Sequence, residues 1–322
     1  MNAECKYVQP ALIILHFTFL RSLIMKKLIE TVPNFSEGRN KDTIEKILSC
    51  FKDKEDVKFL DVHRDKDHNR LVVTAVGGPD GLKRAIIEAV GVAVSLIDMR
   101  AHRGEHPRMG AVDVIPFIPI KNVSMEEAIR LSKETAEEIW ETHHLPVFLY
   151  EESASSPARK NLANIRKGQF EGMPEKLKSA GWQPDFGEKE IHPTAGVVAV
   201  GARMPLIAYN VNLDTDNIEI ARAIAKAVRH ISGGLPYCKA IGIELRERKI
   251  TQVSMNMTDY TQTPLYRALE YIRNEAKRYN VNVISSEVVG LVPMAAIVDS
   301  AAYYMGLEDF NMSKILEAKI ME

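Results

Sequence analysis

Between Met99 and Pro116 the sequence reads M-R-A-H-R-G-E-H-P-R-M-G-A-V-D-V-I-P, which sets two histidines, three arginines, a glutamate and an aspartate in a few turns of chain. His102 and His106 have the i, i+4 spacing that would present two imidazoles to one metal ion if they lay on a helix. Gly104 weakens a helix between them and Pro107 biases His106 away from helical backbone, so the pair is not expected to share a helix face. No third ligand stands at a recognisable spacing, and no metal is expected. His143 and His144 fall at the end of an apolar-periodic segment, where the helix dipole favours a cation. An acid-base role needs less. Imidazole titrates near neutrality, Pro107 restricts the backbone, and Glu105 or Asp113 is close enough in sequence to orient the ring. His106 is the candidate base. The other reading is a solvated basic loop with a structural histidine, and spacing alone does not separate the two.

The elements around this loop must hold it. An apolar helical run ends at Ile97 and strand alternation begins at Val112, so two rigid elements carry the loop, an arrangement that commonly bears sites. Upstream, the pattern predicts a strand at residues 28–32 and a helix from about Lys41 with Ile44, Ile47, Leu48 and Phe51 on one face. Strands follow at 57–63 and 70–76, then a helix capped by Asp80 and running to about Asp98, then a strand at 112–118. Strand, helix, strand, strand, helix, strand is the split βαβ plan of ferredoxin-like units. Ser124 and Glu127 form a capping box for the next helix, and residues 146–150 make a short strand. The polar stretch beyond, with short helices expected at 158–165 and 174–180, stays irregular until strand character resumes at 195–200. So long an interruption is more often functional or interfacial than idle. From Leu206 the plan repeats, with strands at 240–245, 250–257 and 283–289 and helices at 217–230 and 264–279. The expected fold class is therefore α/β (α+β): two ferredoxin-like βαββαβ subdomains, 25–204 and 205–322, with mixed or antiparallel sheets and a ligand cleft between them. Met255, Met257 and Met294 are read as core.

Composition narrows the function. The chain has 322 residues, 46% apolar and 26% charged, with a net charge of −1, enough to bury a sizeable core and without the basic excess that nucleic-acid binding needs. Arg100, Arg103 and Arg108 could still hold a small anion. Cys5, Cys50 and Cys238 show neither paired nor metal-type spacing, which suits a reducing, cytoplasmic compartment. The apolar run 11–24 is broken by His16 and Arg21 and is short for a bilayer, so no membrane association is expected. Met25-Lys26-Lys27 opens the strand pattern, and translation is expected to begin at Met25, with 1–24 a mis-assigned extension.

Four segments carry a resemblance: V-P-N-F-S-E-G-R-N at 32–40, H-R-G-E-H-P-R-M-G-A-V-D-V-I-P-F-I-P at 102–119, P-E-K-L-K-S-A-G-W-Q-P-D-F-G at 174–187 and V-V-G-L-V-P at 288–293. Together, in order from about Met25 to about residue 307, they resemble the glutamate formimidoyltransferase family. Some members are fused to a helical cyclodeaminase, for which this chain, ending at Glu322, has no room; the monofunctional form is expected. The resemblance implies transfer of a formimino group between 5-formimidoyltetrahydrofolate and L-glutamate, in histidine degradation and one-carbon metabolism, by a homodimer in the cytoplasm with tetrahydrofolate as co-substrate. It places the catalytic histidine at His106 and the folate-binding stretch at Gly187, Glu188, Lys189, Glu190, Ile191, His192, Pro193, Thr194, Ala195 and Gly196, and it matches Tyr150 to a pocket position. Arg103 and His63 stand where relatives can have an uncharged residue and an aspartate, which leaves open which residues hold the glutamate carboxylates. Arg100, Arg103, Arg108 and Lys189 are candidates to line the cleft. Formyl transfer, a folate-binding protein without transfer activity and a metal-dependent amidohydrolase are the alternative functions.

Overall fold

Residues 27–321 are described by a computed structural model in which the chain divides after Arg203 into two units. Residues 1–24 and the expected start at Met25 lie outside the described residues. The first unit runs β1 (Leu28–Thr31), β2 (Asn34–Phe35), α1 (Lys41–Ser49), β3 (Val57–Asp65), β4 (Arg70–Gly77), α2 (Pro79–Leu96), β5 (Val112–Lys121), α3 (Met125–His143), β6 (Val147–Glu151), α4 (Pro157–Lys160), α5 (Leu162–Arg166), α6 (Gln169–Lys178) and β7 (Val198–Ala202). Its strands form one seven-stranded sheet in which β3 pairs with β4, β4 with β1 and β2, and those two with β5. That much is the ferredoxin-like plan. Beyond β5 the sheet continues through β7 and β6, both parallel to their neighbours, an extension the expected plan did not include.

The burial of each strand follows from what covers it. β4 alternates, sending Leu71, Val73 and Ala75 into the core, as a strand with one covered face should. β6 and β7 are almost continuously apolar and buried, because a second cluster formed by Val114, Phe148, Tyr150, Ile165, Met173, Leu177 and Val197 covers the face opposite the main core. Phe35, Phe51, Phe117 and Phe148 are fully buried, each contributing about 1.5–3 kcal/mol relative to exposure.

Helix ends obey local chemistry, with two corrections. Asn40 caps α1 by accepting from Asp42 and Thr43 N–H, and Ser124 and Glu127 close the capping box of α3. The cap of α2 is Gly78, not Asp80; Pro79 takes the first helical position, where its missing N–H costs nothing, and leaves Asp80 in the first turn. α6 begins at Gln169, five residues before Pro174, because Gly168 adopts φ +95° as its cap and Phe170 N–H finds the Arg108 carbonyl at 3.0 Å.

The second unit runs β8 (Ile207–Leu213), α7 (Ile218–Val228), β9 (Cys238–Leu245), β10 (Ile250–Met257), α8 (Leu265–Lys277) and β11 (Val283–Val289), followed by α9 (Met294–Met305) and α10 (Leu316–Met321). Its four-stranded sheet has the order β11-β8-β10-β9, antiparallel throughout, which is the ferredoxin-like arrangement. Met255 and Met257 lie in its core as expected, whereas Met294 opens α9 and is 40% exposed. Among the described residues no helix is long and apolar enough to cross a membrane.

Candidate functional site

The loop from Met99 to Ala111 contains no helix, so His102 and His106 do not share a helical face. It is held instead by the turn between β3 and β4. Glu105 N–H donates to the Asp67 carbonyl at 3.3 Å, and Asn69 Nδ2 donates to the Arg103 carbonyl at 3.1 Å. His102 is buried and both ring nitrogens are engaged. Arg108 Nε donates to His102 Nδ1 at 3.2 Å, so Nδ1 carries no proton and Nε2 donates to the Asn69 carbonyl at 3.0 Å. His102 is thereby a structural histidine in one fixed tautomer, and its pKa is lowered by burial.

His106 is half-buried and meets a different set of groups. The His68 ring lies edge-on to it, with centroids 6.2 Å apart and planes at 80°. His68 Nδ1 sits 2.6 Å from Asp65 Oδ2, and that contact holds the Asp65 carboxyl down to about 2. Burial first, then the guanidiniums of Arg70 and Arg166, push the His106 imidazole down to about 3. At neutral pH it is uncharged: free to accept a proton, but a weak acceptor. The two carboxylates expected to orient it do otherwise. Asp113 is buried, ion-paired with Arg166 and bonded to the Met109 N–H at 3.0 Å, and Glu105 is exposed.

The expected folate stretch is joined to this loop by backbone. Met99 N–H donates to the Thr194 carbonyl at 2.8 Å, Ala111 N–H to the Ala195 carbonyl at 2.8 Å, and Val197 N–H to the Met109 carbonyl at 3.1 Å. Gly110 and Gly196 form the bridge between the two segments. A Cβ on Gly110 would fall 2.1 Å from the Val197 carbonyl oxygen, so only glycine permits this approach. Within the stretch, His192 closes a turn: its N–H and carbonyl bond those of Gly196 at 2.9 Å, and its Nδ1 accepts from Ala195 N–H at 3.0 Å. Glu188, Lys189, Glu190 and Pro193 are exposed, Gly187, Ile191 and Thr194 half-buried, Ala195 buried. Asp185, just before it, is a structural anchor, accepting from Leu149 N–H and Arg159 at 2.7 Å each. Tyr150 is only 2% exposed and packs in the second cluster; burial pushes its hydroxyl up to about 12, partly offset by Arg203.

The arginines expected to gather around an anion are already occupied. Arg100 pairs with Asp98, Arg103 bonds the Arg100 and His102 carbonyls, and buried Arg108 forks onto Glu171, holding that carboxyl down to about 2. The cations that do act on His106, Arg70 and Arg166, were missed because each belongs to another element: Arg70 opens β4 and Arg166 closes α5. A charged residue opening an otherwise apolar strand was the available signal for Arg70. Among the described residues no group of three or more His, Cys, Asp or Glu is arranged to hold a metal ion.

Comparison with known proteins bears on both units. The N-terminal subdomain of the formiminotransferase domain matches residues 28–203, and the formiminotransferase domain matches residues 208–321. A glutamate formimidoyltransferase of Streptococcus pyogenes serotype M1 is 53% identical over 298 residues, covering 92% of this chain and 100% of that protein. Another, of Thermoplasma acidophilum, is 45% identical and covers 91% of this chain and 97% of its own length. A formimidoyltransferase-cyclodeaminase of Dictyostelium discoideum is 44% identical over 92% of this chain but only 56% of itself.

Proposed function

The chain belongs to the formiminotransferase family, and on that premise we propose that it transfers a formimino group between 5-formimidoyltetrahydrofolate and L-glutamate, with His106 carrying the proton. The observation that carries this reading is a half-buried imidazole, its charge opposed by burial and by Arg70 and Arg166, on a loop hydrogen-bonded along its backbone to residues 194–197. The α-amine of glutamate is an ammonium at neutral pH and cannot attack until it loses a proton. Neutral His106 takes that proton first, and the freed amine then forms the new C–N bond to the formimino carbon while its second proton passes to the imino nitrogen. His106 returns its proton to N5 of the folate as the old C–N bond breaks, so one residue is base and then acid with no net change. The folate supplies the formimino carbon and the leaving nitrogen. Gly187–Gly196 suits such a ligand in offering a half-buried apolar Ile191 beside the exposed cation Lys189. On the same family premise we infer a homodimer working in the cytoplasm, which sedimentation of the purified chain and fractionation of cells check.

The deciding assay gives glutamate the formimino and the formyl donor side by side. Faster turnover of the formimino donor is the expected result. Preference for formyl replaces the donor, and turnover of neither leaves a folate-binding protein.

A further inference from the structure

The groups gathered around His106 come from several elements, and their hydrogen-bond donors are not all matched by acceptors among the described residues. The turn after β3 supplies His68, β4 supplies Arg70 and α5 supplies Arg166, while the Pro107 carbonyl opposes the loss of charge; Asp65 at the end of β3 and Asp113 of β5 act in turn on Arg70. Asp113 is committed to Arg166 and the Met109 N–H. Asp65 stands opposite Arg70 in the β3–β4 register, yet its carboxylate is taken by the His68 ring and by the N–H groups of Asp67 and His68. Among the described residues the half-buried Arg70 guanidinium therefore has no hydrogen-bond partner, and the buried Nε of Arg166 has none either. Burial and then Arg166 act against the charge on Arg70, while Asp113 and Asp65 support it in part. Asp65 and Asp113 offset the charge of these two partly desolvated cations but leave Arg70 and the Nε of Arg166 with donors that no acceptor among the described residues takes up, next to an imidazole they keep uncharged.

We propose that Arg70 and Arg166 receive the α-carboxylate of the amine substrate beside His106; this deepens the transfer reading above and rests on it. Guanidinium donors match a planar carboxylate, and spare N–H groups are what such a ligand would satisfy. The choice of carboxylate follows from the chemistry of the amine. A base must reach the amine nitrogen, and the α-carboxylate carbon is two bonds away, whereas the side-chain carboxylate and those of the folate tail are remote from the reacting centre. The anion has a second effect. It offsets the positive field of Arg70 and Arg166, so the imidazole gains proton affinity when the substrate arrives and is a poor base without it. The substrate completes its own base.

The test reads the ring of His106 in the full chain by NMR with labelled histidine, using the His106→Gln spectrum for assignment. No folate is present, so no transfer occurs. L-glutamate is expected to raise the midpoint of His106 by about one pH unit or more. L-isoglutamine, whose α-carboxylate is an uncharged amide, should leave it near that of the free protein. Equal shifts with both ligands, or none with glutamate at saturation, overturn the proposal. In the transfer assay Arg70→Met should raise the KM for glutamate about tenfold or more, with the KM for the folate donor little changed and Arg70→Lys restoring part of the loss. A glutamate KM within twofold of wild type, or a rise confined to the folate donor, overturns it as well. If the wild type transfers nothing, the activity reading fails by itself, since the NMR arm needs no turnover and still decides the carboxylate site.

Discussion

His106 and His102 lie four residues apart, yet they should fail in different ways when replaced. His106→Ala removes the proton carrier and leaves the Arg166–Asp113 pair in place, so turnover should fall by about 100-fold to 10,000-fold while folate affinity changes little. His102→Ala strands the Asn69 carbonyl and Arg108 Nε in a buried setting and should lower stability by about 1–3 kcal/mol, with a smaller effect on turnover. Steady-state rates and thermal melts of both variants check the pair; near-normal turnover in His106→Ala sinks the shuttle. His106 was singled out in the sequence by its place in the E-H-P-R-M-G match and by the proline after it, whereas spacing alone left a structural role equally open. Its surroundings were not legible. Asp113 is seven residues from His106 and looked like its partner, but the chain turns it toward Arg166, 53 positions later in the sequence. Pairings of that range are set by packing, which local spacing does not encode.

At the scale of elements, the site depends on how tightly two segments are joined. Gly110→Ala places a methyl against the Val197 carbonyl, and at Gly196 the φ of +74° adds backbone strain to a 2.3 Å approach to the Met109 carbonyl. Either substitution should lower both melting temperature and turnover, and a Gly196→Ala protein with the melting temperature and activity of wild type contradicts the bridging role. Arg159 and Asp185 hold the turn before the proposed folate stretch against β6, with side chains 8% and 10% exposed. Asp185→Ala leaves a buried guanidinium without its charge partner and should cost about 3–5 kcal/mol, read from denaturant unfolding. Most elements were legible from periodicity and caps: β10 falls where alternation put it, and α3 starts at its capping box. α6 was misplaced because proline usually begins a helix, whereas here Gly168 and the Arg108 carbonyl begin it earlier. β6 and β7 were recognisable as strands, but nothing local says that they extend the first sheet, since continuous apolar runs record burial on two faces and not which strand lies beside which.

At the scale of the whole molecule, the histidines with lowered pKa, His102, His106 and His192, all lie in the first unit. A histidine whose folded pKa is depressed stays neutral in the native state while the unfolded chain takes up its proton. Stability is therefore full above the unfolded value of 6.5 and declines as pH falls from there, for His106 down to about 3. Carboxylates act later. Asp65 and Glu171, both held down to about 2, contribute stability above their ordinary values of 3.8 and 4.5 and lose it as pH falls through 2. These two groups are exposed enough for solvent to screen much of the effect. Acid should thus loosen the first unit in two stages, with histidines dominating the first. Hydrogen exchange between pH 6.5 and 5 should show protection falling in β4, β5 and the loop between α2 and β5, with no matching histidine-driven loss in β8 and β10. His106→Gln, which cannot take up that proton in either state, should show a flatter decline of melting temperature over the same interval. An unchanged slope in that variant would place the acid sensitivity elsewhere and remove the link between the buried neutral imidazole and the stability of the unit that carries it.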